Sequence, residues 1–128
     1  MEFIDCPCTG KSLIRLVRPA VLTVLAGEPL HGYEVLRRIA PLRLFRGHPP
    51  DAAGVYRALR DMEAEGLLHG NWDLPEQGPA KRRFALTARG LACLAKWEDT
   101  LSEHRAALEE LLTAARGALA PAGDREAS

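Results

Sequence analysis

At 128 residues the chain can build one compact domain with a short added arm, and an apolar fraction of 47% with few aromatics suits a helical core of Leu, Ala and Val. Its 17 basic residues balance its 17 acidic ones, which excludes a uniformly basic nucleic-acid coat, but the balance is uneven along the chain: +3 over residues 1–90 and −3 over 91–128. No stretch approaches the length of a transmembrane helix and no basic-then-apolar leader opens the sequence, so a cytoplasmic protein without a membrane partner is expected.

The first segment, FIDCPCTG, belongs to an arm over residues 1–17. Cys6, Cys8 and Cys93 are the three cysteines, an odd count that argues against a disulfide framework. Thiolates as close as Cys6 and Cys8 could converge on one soft metal ion or cluster, with Cys93 or one of His31, His48, His69 and His104 completing the ligand set. The plainer reading is two reduced thiols on an arm, Cys93 packed as a small hydrophobe in a helix, and no cofactor.

Ser12 or Thr9 is placed to cap a first helix, and Leu13, Leu16, Val17, Val21, Val24 and Leu25 follow helical spacing. Pro19 falls inside that run, so the main helix is expected over 18–27. Residues 28–32 read as a turn, with His31 as a cap or packing residue, and residues 33–42 as a second helix. That helix turns Val35, Leu36, Ile39 and Leu42 inward and leaves Arg37 and Arg38 outside. Arg43, Arg46 and His48 lie in a connector closed by Pro49 and Pro50, which set the entry angle of the next helix.

That next helix lies in the stretch DAAGVYRALRDMEAEGLL. Val55, Leu59, Met62 and Leu67 share one helical face, and Gly66 stands where a left-handed residue would stop the helix. The runs 67–73 and 81–87 are β-compatible, and LPEQGPA between them suits a hairpin with a longer loop. Phe84 and Leu86 should face in, Arg83 and Ala85 out. A helix followed directly by a hairpin whose returning strand opens Lys81-Arg82-Arg83 is the plan of a winged helix. The fold class expected is therefore mainly α with a small β-hairpin, a winged helix-turn-helix over 18–90. Val21, Leu25, Leu36, Ile39, Val55, Leu59, Met62, Leu67, Phe84 and Leu86 form its expected core.

Such a module implies double-stranded DNA as partner. Arg57, Arg60, Lys81, Arg82 and Arg83 are candidates for phosphate contacts, which position a protein without reading sequence. Tyr56 can offer its hydroxyl to a phosphate, and Ala53 a small surface for a thymine methyl. The wing triplet has no acidic neighbour in sequence closer than Glu76 and is expected to stay unpaired until phosphate arrives. The recognition segment is less clear-cut, because residues 51–66 hold two arginines against four acids. Pairing of Arg57 and Arg60 with Asp61, Glu63 or Glu65 on a solvated face is the alternative there.

Thr87 suits the N-cap of a last helix over 88–119, whose stripe is heptadic: Leu94, Leu101, Leu108 and Ala115 at one position, Trp97, His104, Leu111 and Ala118 at the other. A second copy of the same helix is the economical partner, making residues 91–119 a dimerisation helix with Leu94, Trp97, Leu101, Leu108 and Leu111 at the interface. Packing of the stripe onto the chain's own first helix is the other option. Residues 120–128 read as a disordered tail.

Four blocks occur in an order that resembles the PadR family of transcriptional regulators: PLHGYEVLRRI, VYRALRDMEAEGLL with the tryptophan strand after it, GPAKRRFALTARG, and Trp97. The resemblance spans roughly residues 21–97. It implies a DNA-binding regulator, a repressor acting as a homodimer, with a small aromatic or amphipathic effector bound at the dimer interface and Trp97 as a wall of that pocket. Two features depart from the pattern. Ala53-Gly54 stands where many members carry Gly-Thr, removing a hydroxyl that could reach phosphate, and the FIDCPCTG segment has no counterpart. No catalytic set is present: the chain carries no helical His-Glu metal motif, phosphate-binding glycine loop or nucleophile elbow. An enzyme is not expected. The rival from another class is a winged helix that binds protein instead of DNA, favoured by the acids of 51–66.

Overall fold

The computed structural model describes residues 16–121. Cys6, Cys8, the Thr9 and Ser12 caps and the tail from residue 122 onward lie outside the described residues. The chain forms two compact units, one up to Leu94 and one from Ala95.

Helix α1 (Val17–Gly27) buries Pro19, Ala20, Val21, Leu22 and Leu25. Pro19 is its third residue and neither breaks nor kinks the run, because an N–H in the first turn has no intrahelical acceptor to lose. Strand β1 (Leu30–His31) and helix α2 (Gly32–Ile39) come next. Helix α2 stops three residues short of the expected end. Pro41 has no N–H to give the carbonyl of Arg37, so the chain tightens into a Leu42 N–H to Ile39 carbonyl bond of 3.0 Å and a 3₁₀ turn, Arg43–Phe45. The consequence is an exchange of core residues. Leu42, expected inside, is 39% exposed, and Phe45 from the supposed connector is the largest fully buried side chain.

Asp51 then starts helix α3 (Ala52–Ala64) as its N-cap, accepting the Gly54 N–H at 2.7 Å. Val55, Leu59 and Met62 are completely buried on its inner face. Gly66 has φ +81°, the left-handed residue expected after the last turn. Strands β2 (Leu68–Asp73) and β3 (Lys81–Leu86) form the hairpin, and β1 adds to its other edge, giving an antiparallel sheet ordered β1-β3-β2. The residues expected as a turn at 28–32 thus include a short strand, registered Leu30 opposite Phe84 and His31 opposite Arg83. Leu30 and Phe84 are both buried, so the extra strand extends the core face of the sheet. Leu36 and Leu86 are only half-buried.

Helix α4 (Ala88–Leu119) begins where Thr87 was expected to cap it. The Thr87 hydroxyl oxygen accepts the Gly90 N–H at 3.0 Å and donates to the Gly66 carbonyl at 2.6 Å, tying the start of α4 to the end of α3.

Candidate nucleic-acid interface

Because Val55, Leu59 and Met62 anchor one face of α3, the residues between them are turned out: Ala53, Tyr56, Arg57 and Arg60 are all exposed. Across from them stand the first residues of α2 and of β3. The cleft between these elements measures about 690 Å³ and is lined by His31, Gly32, Tyr33, Ala53, Tyr56, Arg57, Arg60, Lys81, Arg82 and Phe84. Six of the seven DNA-contact candidates line one surface; Arg83 lies outside the cleft. Among the described residues, no carboxylate lines it.

Three of the four acids that counted against this helix are engaged elsewhere. Glu65 holds Arg18 at 2.6 Å, Glu63 holds Arg82, and Asp51 caps the helix backbone. Among the described residues, Arg57 and Arg60 have no ion-pair partner, so the pairing with Asp61, Glu63 or Glu65 considered from sequence does not form. The face toward the cleft is more cationic than the local composition suggests.

The wing corrects one expectation. Its three cations are not equally free. The Arg82 guanidinium makes a two-pronged bond to Glu63, 2.7 and 2.6 Å, and donates to the Gly70 carbonyl at 2.8 Å. Glu63 also accepts the Gly70 N–H at 2.9 Å. Hydrogen bonding from Arg82 first, and from that N–H as well, holds the Glu63 carboxyl below the usual glutamate range despite partial burial, while Glu63 raises Arg82 further. Alternation is the reason. Arg82 is two residues from Phe84 and shares its inward face, where α3 supplies Glu63. Arg83, on the outer face, pairs with Asp73 at 3.0 Å with both side chains about half exposed. Of the three wing cations, Lys81 alone has no ion pair among the described residues; its ammonium lies 5.0 Å from the Tyr33 ring centroid.

His31 was expected as a cap or packing residue and stands at the N-cap position of α2. Its backbone N–H donates to Glu34 Oε1 at 2.9 Å, and its two ring nitrogens lie 3.0 Å from Glu34 Oε1 and Asp73 Oδ2. Asp73 is depressed chiefly by the His31 hydrogen bond and secondly by Arg83, and Glu34 chiefly by the His31 backbone N–H. The hub joins the start of α2 to the wing through groups 42 residues apart in sequence, a spacing no local pattern reveals.

Of the proposed interface residues on α4, Leu94 and Trp97 are half-buried, while Leu101, Leu108 and Leu111 are 38%, 61% and 66% exposed. Cys93 is a half-buried free thiol, and among the described residues no three His, Cys, Asp or Glu side chains converge as a metal site. No helix among the described residues is long and apolar enough to cross a membrane.

Three helices, a basic-edged wing and a long final helix define a winged-helix protein of the regulator class. The model of the transcriptional regulator PadR-like family matches residues 21–96, more than half of the chain, and the protein belongs to that family, one of regulators and not of enzymes. Solved structures share the fold. A PadR family transcription regulator from hypervirulent Clostridium difficile R20291 is 17% identical with a TM-score of 0.63, over 76% of this chain and 98% of that one. A PadR-like transcriptional regulator from Bacillus cereus strain ATCC 14579 is 20% identical with a TM-score of 0.64, over 78% and 94%. Bacillus subtilis PadR, in complex with operator DNA, is 21% identical with a TM-score of 0.57, over 64% and 46%. No curated protein matches the chain.

Proposed function

We propose that the protein is a homodimeric repressor that binds double-stranded DNA, with the exposed face of α3 in the major groove and the wing on the adjoining backbone. The observation that carries this reading is the cleft lined by Arg57, Arg60, Lys81 and Arg82, with no carboxylate among its described lining residues, at the place where a winged helix meets DNA. The operator complex of the B. subtilis relative supports it. A two-fold dimer through α4 sets two such heads at half-sites, which compensates for the modest charge of one copy. Repression then follows from occupying a promoter, and an apolar effector that prefers one dimer geometry, seated beside Trp97, would tune it.

The test is footprinting of the region upstream of the protein's own gene with purified protein, together with affinity measured across salt. Protection of two half-sites, and log affinity falling with log salt at about 0.9 per phosphate contact, are expected. Absence of protection, with no salt-dependent binding to any duplex, would return the fold to the protein-binding reading.

A further inference from the structure

Trp72 is 63% exposed, although it lies on the sheet face that carries the core. The register explains the paradox. Gly70 stands opposite the buried Phe84 and Trp72 opposite Arg82, so alternation puts all four on one face, with Trp72 one pair farther toward the wing tip. The ring is nevertheless held. The Arg82 guanidinium lies 5.6 Å from the Trp72 ring centroid and 5.3 Å from that of Phe84. That guanidinium is itself fixed by Glu63 and the Gly70 carbonyl. Gly70 is required for the arrangement, since a Cβ there would come within 2.8 Å of Arg82 Cζ. Glu63, Arg82 and Trp72 form a stack that starts on the recognition helix and ends in an exposed aromatic plate.

An exposed aromatic held in place by a fixed guanidinium is pre-ordered for a contact at little entropic cost. Its surroundings select the partner. Arg82, beside it, lines the cleft with Arg57, Arg60 and Lys81, so the ring stands next to the site proposed for DNA. The Arg82 guanidinium stays charged but is paired with the Glu63 carboxylate, so Trp72 adds an apolar contact beside an already satisfied cation.

We propose that Trp72 is a non-ionic DNA contact of the wing, laying its ring against the sugar edge of the backbone or groove that the wing enters, with Arg82 as its positioning residue. The assignment rests on the DNA-binding reading above. It predicts a division of labour: Lys81 and Arg83 contribute the salt-dependent part of wing affinity, and Trp72 a part that salt does not touch.

The experiment uses the full-length protein and a duplex of the protected upstream region. Trp72→Ala should weaken binding about tenfold with an unchanged salt slope, since an apolar contact releases no counterions. Lys81→Ala should lower the slope by about 0.9. Trp72→Phe should keep most of the affinity, and the tryptophan emission change that accompanies DNA binding in the wild type should vanish in this variant, which retains Trp97. A Trp72→Ala variant with wild-type affinity, or an emission change that persists in Trp72→Phe, overturns the inference. So does a Trp72→Ala variant whose altered sedimentation accounts for all of its lost affinity, since the ring would then serve the dimer. If Trp72→Ala fails to fold, the emission comparison decides alone. Should the wild type bind no duplex, the DNA reading fails; should it bind while Trp72 proves silent, only this assignment falls.

Discussion

The winged-helix unit and the distal half of α4 use the same periodicity with opposite results. Val55, Leu59 and Met62 recur at helical spacing on α3 and are completely buried. Leu101, Leu108 and Leu111 recur at helical spacing on α4 and are 38%, 61% and 66% exposed. The residue types and the repeat do not distinguish these stripes. What does is whether other segments of the chain cover them: α3 is met by α1, α2 and β2. A hydrophobic stripe specifies that something must cover it and leaves open what that is.

The strongest way to break this comparison is to put charge on the second stripe. Leu101→Asp with Leu108→Asp should abolish the proposed dimer, because each carboxylate trapped unpaired in a seam costs several kcal/mol. Sedimentation should show a monomer, while circular dichroism should still report a cooperatively folded winged-helix unit. An unchanged dimer would show that α4 is not the seam; a collapsed winged-helix unit would show that the two units are not separable in stability.

Much of this was legible in the sequence because it was local. Gly66 stopping α3, Thr87 capping α4 and the inward set Val21, Leu25, Ile39, Val55, Leu59, Met62, Leu67 and Phe84 each follow from spacing within one turn or one strand. The misreadings are also physical. Running the second helix through Pro41 overlooks the missing N–H, and that error hides Phe45 and turns Leu42 inward. Strand β1 escapes a sequence reading because two residues carry no periodicity; only the free edge of β3 makes them a strand. Most instructive is Arg82. Its nearest acid in sequence is Glu76, but its partner Glu63 is 19 residues away on another element. Alternation with Phe84, already used for the core, held the signal that Arg82 faces inward.

Arg82 and Arg83 repeat the same comparison at the scale of one strand. Arg82→Ala would strand Glu63, whose side chain is 27% exposed, and should lower stability by roughly 1–2 kcal/mol. Arg83→Ala breaks a pair exposed by about half on both sides and should cost less stability than Arg82→Ala. Their effects on DNA should be reversed in kind. Arg83→Ala should reduce the salt slope by about 0.9, whereas Arg82→Ala should lower affinity with little change in slope, through a displaced Trp72. Chemical denaturation and salt titration of the two variants check both halves. Equal stability losses, or equal slopes, would mean that Arg82 is not distinguished by its partner.

The smallest expected effect tests whether Glu63 acts through its charge. Its carboxyl is held below the usual glutamate range, chiefly by Arg82 and also by the Gly70 N–H, so the folded state binds its proton more weakly than the unfolded chain does. The contribution is therefore complete above the ordinary glutamate pKa of about 4.3, and it drains away as pH falls through that value to the lowered folded one. Asp73 and Glu34 are also depressed and lose their contributions on acidification in a similar way, so the wild-type curve alone cannot single out Glu63. The difference curve can. Glu63→Gln keeps the size of the side chain and part of its hydrogen bonding but cannot titrate. The variant should be less stable than wild type at pH 7, and the gap should start to narrow as pH falls through about 4.3 and close below the lowered folded value. Once pH has passed below the lowered folded value, the protonated carboxyl of the wild type and the neutral amide of the variant present Arg82 with the same lack of charge. Denaturation midpoints of both proteins from about pH 7 down to about pH 3 measure the gap. A gap that stays constant over that range would mean the Glu63–Arg82 contact stabilises the wing by shape and neutral hydrogen bonding alone.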